Sequence, residues 1–281
     1  MSNKERNILV TGGSRGIGLA IARRFAEDGA RVAVCSRTEG ELHDAVAQLT
    51  ALGTTVLGSA VDVADRSMVE TFVEQIRGCW GDVDVLVNNA GIQGPIGPLA
   101  GNDPEHWKRT FEINVLGTAY CIQAVLPGMK RGGRGKIINL SGGGSTSPRP
   151  NFSAYGASKA AVVRLTETLA VELRDFRIDI NAIAPGAVNT RMLQEVLDAG
   201  ERAAAEHVDA LLRSETGGTP PGLAANLVFF LASEAADGIT GKLISAPWDP
   251  WQEPAFLRQL REDGDLATLR RIDAKHFGHI S

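Results

Sequence analysis

Cysteine is sparse. Cys35, Cys79 and Cys121 are the three in 281 residues, and no two form a CxxC pair. An odd, dispersed set excludes a disulfide framework and indicates no zinc site, so no metal is expected. A basic surplus is also missing, with 29 Lys and Arg against 33 Asp and Glu and a net charge of −4. Binding a phosphate backbone needs clustered positive charge, so nucleic acid is not an expected partner. Long apolar runs are absent. The longest strongly apolar one, residues 227–232, falls far short of the roughly 20 residues that cross a bilayer. The opening MSNKERNILV holds no signal-peptide core. These absences predict a cytoplasmic protein with no membrane association. Tyrosine is rare, at two, whereas glycine is common, at 32. The 43% hydrophobic and 22% charged residues are ordinary for a globular chain and exclude disorder.

Short apolar runs alternate with longer amphipathic stretches. The runs predict strands at 7–11, 31–35, 54–60, 83–87, 136–140, 178–183 and 242–245. Between them lie predicted helices at 16–28, 39–52, 65–77, 104–126, 153–174 and 221–232, with a charged helical insertion at 190–213. Asp103-Pro104 reads as an N-cap followed by proline at the first helical position. The strands are continuous apolar runs without alternation, as expected where helices cover both faces of a parallel sheet. The expected fold is α/β: a single Rossmann-type doubly wound parallel sheet of about seven strands with helices on both faces. Residues 1–246, with a substrate lid at 190–219, form the expected catalytic domain, and 247–281 a C-terminal tail.

Strand one runs into Thr11-Gly12-Gly13-Ser14-Arg15-Gly16-Ile17-Gly18, and a helix follows. Glycine permits the tight turn and lets backbone approach a pyrophosphate, which sits at the positive helix N-terminus. The GxxxGxG spacing departs from the common GxGxxG. With Asn88-Asn89-Ala90-Gly91 after strand four, Tyr155-Gly156-Ala157-Ser158-Lys159, and Pro185-Gly186-Ala187-Val188-Asn189-Thr190 after strand six, the chain resembles the short-chain dehydrogenase/reductase family across roughly residues 7–246.

Dinucleotide sites place an acid at the end of strand two for the ribose 2′-OH of NAD, or an arginine for the 2′-phosphate of NADP. Strand two here ends Cys35-Ser36-Arg37-Thr38, with no acid. Arg37, with Arg15 and the hydroxyls of Ser36 and Thr38, leads to the expectation of NADP(H) over NAD(H). The competing reading of Arg37 is a solvated loop arginine. The resemblance implies further contacts. Asp62-Val63 lies at the adenine, Asn88 and the backbone of Ala90-Gly91 flank the cofactor, and Pro185, Gly186, Val188 and Thr190 hold the nicotinamide end.

Tyr155 and Lys159 are four apart on one helical face. By resemblance the tyrosine exchanges the substrate hydroxyl proton, while the lysine lowers the phenol pKa and binds the nicotinamide ribose. Asn114 supports a proton-relay water. The family's active-site serine stands 13 residues before the tyrosine, where this chain has Gly142. Ser141, Ser145 and Thr146 are candidates to replace it; the alternative is a site that works without a hydroxyl. Arg149 lies between two prolines, and its readings are a loop surface or a substrate anion. In the tail, Trp248, Trp251 and Phe256 are expected either to pack on the body or a neighbouring subunit, or to close over a pocket.

The expected activity is NADP(H)-dependent interconversion of a carbonyl and a secondary alcohol on a polar small molecule. The alternatives are a non-catalytic NADP-binding regulatory or scaffold protein, suggested by Gly142, and an NAD(P)-dependent polyol or sugar dehydrogenase. The helices at 104–126 and 153–174 resemble those that pair subunits in the family, so a homodimer or homotetramer is expected.

Overall fold

A computed structural model describes residues 5–271. Its strands are β1 (Asn7–Thr11), β2 (Arg31–Ser36), β3 (Val56–Ala60), β4 (Val85–Asn88), β5 (Gly135–Leu140), β6 (Ile178–Ala184) and β7 (Leu243–Ser245). They form one sheet in the order β3-β2-β1-β4-β5-β6-β7, every pair parallel. The order reverses between β1 and β4, and such a switch point opens a crevice at the strands' carboxyl ends. β1, β4 and β5 are buried along their whole length, whereas the edge strand β3 is half-exposed. The apolar runs therefore report a covered sheet, as expected.

The helices are α1 (Gly16–Glu27), α2 (Glu39–Thr50), α3 (Arg66–Trp80), α4 (Pro104–Phe111), α5 (Gly117–Gly132), α6 (Ser153–Glu172), α7 (Arg191–Ala199), α8 (Ala205–Thr216), α9 (Pro221–Ala232) and α10 (Pro254–Glu262). One core face joins Ile8, Val10, Phe25, Phe229 and Phe230; the other joins Leu9, Phe72, Ile76, Ile122 and Met129. Asp103 caps α4 through its carboxylate, which accepts from the Glu105 N–H at 3.0 Å, with Pro104 in the first turn.

Two elements differ from expectation. The helix expected at 104–126 is α4, a π turn at Glu112–Leu116, and α5, which continues through Pro127 to Gly132. Tertiary packing overrides the proline: Met129 is buried, and a Cβ at Gly128 would meet Asp82 Cγ at 2.6 Å. The insertion expected as one helical stretch is α7, a short 3₁₀ turn at Gly200–Ala203, and α8. Gly200 and Ala204 break it with φ of +57° and +49°.

The tail packs on the body. Trp251 is buried against Phe230 at 5.8 Å between ring centres and donates from Nε1 to Ala246 O at 3.1 Å. Phe256 joins the same core face. Beyond α10 the chain runs beside β7, where the Leu243 N–H donates to Ala267 O at 2.7 Å, so this sheet edge is covered. Trp248 differs from its tail neighbours in being 84% exposed, at the rim of a cavity. The tail's last residues, 272–281, lie outside the described residues. No described helix is long and apolar enough to cross a membrane.

Candidate active site

The glycine loop lies at the switch point. Gly12 adopts φ of +62°, which side chains rarely tolerate. A Cβ at Gly18 would fall 2.2 Å from Gly12 O and 2.4 Å from Asn89 Nδ2, so the loop folds back onto the first turn of α1. The segment after β4 clamps it there. Asn89 Nδ2 donates to Thr11 O and Gly12 O, both at 2.9 Å, and Thr11 Oγ1 accepts from the N–H groups of Asn89 and Ala90, both at 3.0 Å.

A groove of about 600 Å³ opens above this loop. Gly12, Ser14, Arg15, Gly16, Ile17 and Gly18 form its floor, and Ser36, Arg37 and Thr38 its far end. Asp62, Val63, Ala90, Gly91 and Thr190 complete the walls. Asp62 also makes a turn, accepting from the Ala64 N–H at 3.0 Å, and pairs with Arg109. Thr190 caps α7 and lies against the loop, its methyl 3.3 Å from where a Gly16 Cβ would stand.

Asn88 stands apart from these groove residues. It is buried, donating from Nδ2 to Asn139 Oδ1 at 2.9 Å, and does not line the groove. Asn88 ends β4 with its side chain on Asn139 of β5, whereas Asn89, the next residue, faces the groove. A one-residue step reverses the facing of neighbouring side chains. Sequence reasoning also missed Glu41. From the first turn of α2 it reaches into the groove, 3.2 Å from Arg15 Nε, and accepts from Ser14 Oγ at 3.5 Å. Its position four residues past Arg37, in a first helical turn, was the available signal.

The groove continues past Ile17, Asn89 and Thr190 into a second cavity of about 820 Å³. Tyr155, Lys159, Ser141, Gly142, Ser145 and Thr146 line its inner wall, and Pro185, Gly186 and Val188 one side. The insertion supplies Leu193, Val196, Glu206, Asp209, Leu212 and Arg213. Phe152, Tyr155, Val196, Ala199, Ala203 and Ala210 form a small apolar cluster that seats the insertion on the start of α6.

Tyr155 and Lys159 are both buried. Lys159 Nζ donates to Leu140 O at 2.7 Å and stands 5.7 Å from the Tyr155 ring centre. Burial lowers the Lys159 ammonium to about 8. Burial also pushes the Tyr155 phenol above its ordinary value; Arg149 opposes that rise and Glu206 adds to it. Two cations thus stand near the phenol, Lys159 at 5.7 Å and Arg149 at 5.4 Å from the ring centre.

Asn114 sits in the π turn, a helix irregularity that often marks functional positions. Its amide bonds the Ile92 backbone in both directions, each at 2.9 Å, and donates to Ser158 Oγ at 2.9 Å. Gly91 passes beside it: a Cβ there would lie 3.1 Å from Asn114 Oδ1 and 3.4 Å from Lys159 Nζ. Asn114 therefore fixes the loop that runs past the lysine.

The Tyr155 hydroxyl fills the space of the missing side chain at 142, since a Cβ on Gly142 would lie 2.5 Å from it. Next door, Ser141 Oγ is buried without a hydrogen-bond partner. Such orphans are rare in native proteins and demand an explanation. Ser145 is also buried, its N–H donating to Gly142 O at 3.3 Å.

A doubly wound parallel sheet with a glycine cradle at its switch point defines a dinucleotide-binding α/β protein. The comparisons narrow the class. The short chain dehydrogenase model matches residues 6–200. Dehydrogenase/reductase SDR family member 4 of Pongo abelii is 38% identical over 236 residues, covering 84% of each chain. The structure of NAD+-bound xylitol dehydrogenase aligns with a TM-score of 0.80 at 28% identity, over 86% of this chain and 97% of that one. L-sorbose reductase from Gluconobacter frateurii, complexed with NADPH and L-sorbose, aligns at 0.79 and 31% identity, over 87% and 96%. The chain belongs to the short-chain dehydrogenase/reductase family. It is an NAD(P)-dependent oxidoreductase that takes a nicotinamide cofactor.

Proposed function

We propose that this enzyme uses NADP(H) to interconvert a carbonyl and a secondary alcohol on a polar small molecule, with Tyr155 as the acid/base. The observation that carries the reading is the phenol: the Tyr155 hydroxyl lies over Gly142 in a cavity continuous with the glycine-loop groove. The cradle fits a dinucleotide, because Gly12 and Gly16 take positive φ and Gly18 packs on Gly12 O, so the loop lines the groove as a tight backbone turn. When bound, the nicotinamide supplies or accepts the hydride. Tyr155 gives its proton to the carbonyl oxygen in reduction and takes the alcohol proton in oxidation. Lys159 donates one N–H to Leu140 O, which leaves two further donors for the ribose and the phenolate. Asn114 holds the passing loop, and Ser141 offers a hydroxyl to the reacting oxygen. Retention of Tyr155, Lys159 and Asn114 in this arrangement argues against a non-catalytic binding protein.

Arg37 and Arg15 support the NADP preference. Wild-type enzyme is expected to bind NADP more tightly than NAD. Arg37→Asp should weaken NADP by ~10–100-fold, the loss of a charge-assisted hydrogen bond. Glu41 competes for Arg15, so Glu41→Gln should tighten NADP. Fluorescence titration with both cofactors reads this, and tighter NAD binding by the wild type would sink the assignment.

A polyol or sugar substrate is the second reading. It is favoured by the structural likeness to xylitol dehydrogenase and L-sorbose reductase. Residues 1–246 serve as the catalytic unit in either case, with 247–281 as a C-terminal tail. Assembly as a homodimer or homotetramer is supported by exposed Leu116 beside α5 and Val171 on α6. Light scattering at micromolar concentration should give a multimeric mass; a monomer would refute this.

A further inference from the structure

Arg149 occupies a constrained place. Pro148 and Pro150 flank it, and a residue before proline is held out of the helical region. Gly144 lets the loop turn tightly beneath it: with φ of +91°, a Cβ there would stand 3.2 Å from Arg149 Cβ. The guanidinium then lies 3.8 Å from the Phe152 ring centre and 5.4 Å from that of Tyr155. Its edge is gripped from the insertion. Arg149 Nε donates to Glu206 Oε1 at 2.6 Å, and Nη2 donates to Glu206 Oε2 at 2.8 Å. Both side chains are substantially buried, at 16% and 29% exposure. A second tie joins the same segments, as Asn151 Nδ2 donates to Arg202 O at 2.9 Å.

This planar fork is a geometry that arginine offers and lysine does not. One face stacks on a fully buried phenylalanine while the edge meets a carboxylate. A surface ion pair would leave the cation free to swing. Here the stack, the two prolines and the bidentate clamp fix it beside the phenol.

We propose that Arg149 is a positioning residue for the proton transfer: clamped by Glu206 and Phe152, it holds a positive charge beside the Tyr155 ring and stabilises the phenolate, where Gly142 offers no side chain to the site. The inference rests on Tyr155 being the acid/base. The charged groups lining that cavity are Arg149, Lys159, Glu206, Asp209 and Arg213. Lys159 acts from α6, the Glu206 carboxylate opposes Arg149, and Asp209 and Arg213 lie on α8 with Glu206. The Arg149 charge, 5.4 Å from the ring centre, favours the phenolate. A fixed positive charge beside an ionising group favours its charged form.

The scarcity of tyrosine supplies the test. Tyr120 is the other phenol in the chain, so in a Tyr120→Phe background ultraviolet phenolate absorbance reports Tyr155 alone. Circular dichroism, followed at each pH, marks where the fold is intact. Arg149→Met should raise the Tyr155 midpoint by ~1 unit or more, and Arg149→Lys should recover part of that rise. If Arg149→Met does not fold, Arg149→Gln removes the charge while keeping a planar polar group, with the same expected rise. The pH profile of kcat for alcohol oxidation should move to higher pH by a matching amount, with NADP affinity unchanged. An unmoved midpoint, with the losses confined to KM or to thermal stability, would make Arg149 a lid fastening only and overturn the proposal. The titration needs no turnover. Absence of activity on every carbonyl and alcohol would therefore count against the proposed function, separately from an unmoved midpoint.

Discussion

Replacing Tyr155 by phenylalanine is expected to lower kcat by ~10²–10⁴-fold while NADP still binds. The substitution keeps the ring, which is buried in the cluster with Phe152 and Val196, so the seat of the insertion on α6 survives. It deletes only the hydroxyl that lies over Gly142. In the proposed mechanism that hydroxyl is the proton donor in reduction, and among the described residues the cavity offers no histidine to replace it. Carboxylates are present on the insertion, but Glu206 is committed to Arg149, whose hydrogen bond holds its carboxyl below the ordinary range. A group kept ionised at neutral pH cannot serve as the acid. The effect should fall on kcat, with cofactor affinity unchanged in direct titration. Near-normal turnover of Tyr155→Phe would remove the mechanism.

Gly142→Ser is expected to reduce kcat by about tenfold or more, although it installs the hydroxyl that the family pattern has at this position. Two effects compete. An added donor at the reacting oxygen is worth ~10²–10³ in rate where geometry allows. A Cβ at 142, however, would lie 2.5 Å from the Tyr155 hydroxyl, well inside van der Waals contact. The buried phenol has to shift, and displacing a catalytic group by ~1 Å costs ~10²-fold. Steric displacement wins if Ser141 already supplies a hydroxyl, because the new donor then adds little. Ser141→Ala tests that condition and should cost ~10²-fold in kcat with cofactor binding intact. Gly142→Ala, carrying the Cβ without the hydroxyl, should lose about as much as Gly142→Ser. A gain of activity in Gly142→Ser, with a silent Ser141→Ala, would show a site lacking its hydroxyl.

The sheet was legible because strands buried on both faces leave uninterrupted apolar runs, as in Asn7–Thr11 and Gly135–Leu140. The glycine loop was legible because backbone packed against backbone excludes every side chain, and Gly18 against Gly12 O is such a contact. What stayed hidden depends on contacts distant in sequence. The π turn at Glu112–Leu116 has no local signature; Asn114 bonds to Ile92 and Ser158 only once the fold is made. Pro127 reads as a helix stop until the core packing of Met129 is known. Asn88 and Asn89 differ by one residue and face different neighbours, a distinction set by where β4 ends. Arg149 was visible as a constrained arginine, but Glu206, 57 residues away, decides where its charge rests. The tail tryptophans looked alike in sequence, yet Trp251 is buried at 6% exposure and Trp248 is 84% exposed.

The most direct test of the central claim is isotopic. NADPH carrying deuterium at its transferable nicotinamide position is incubated with the enzyme and a panel of ketones, aldehydes and keto-sugars, and the products are read by mass spectrometry and NMR. Wild-type enzyme should place one deuterium on the carbinol carbon of at least one product, and Tyr155→Phe should bind the same cofactor but place little or none. Reduction with no deuterium on carbon, or equal transfer by Tyr155→Phe, would contradict the account.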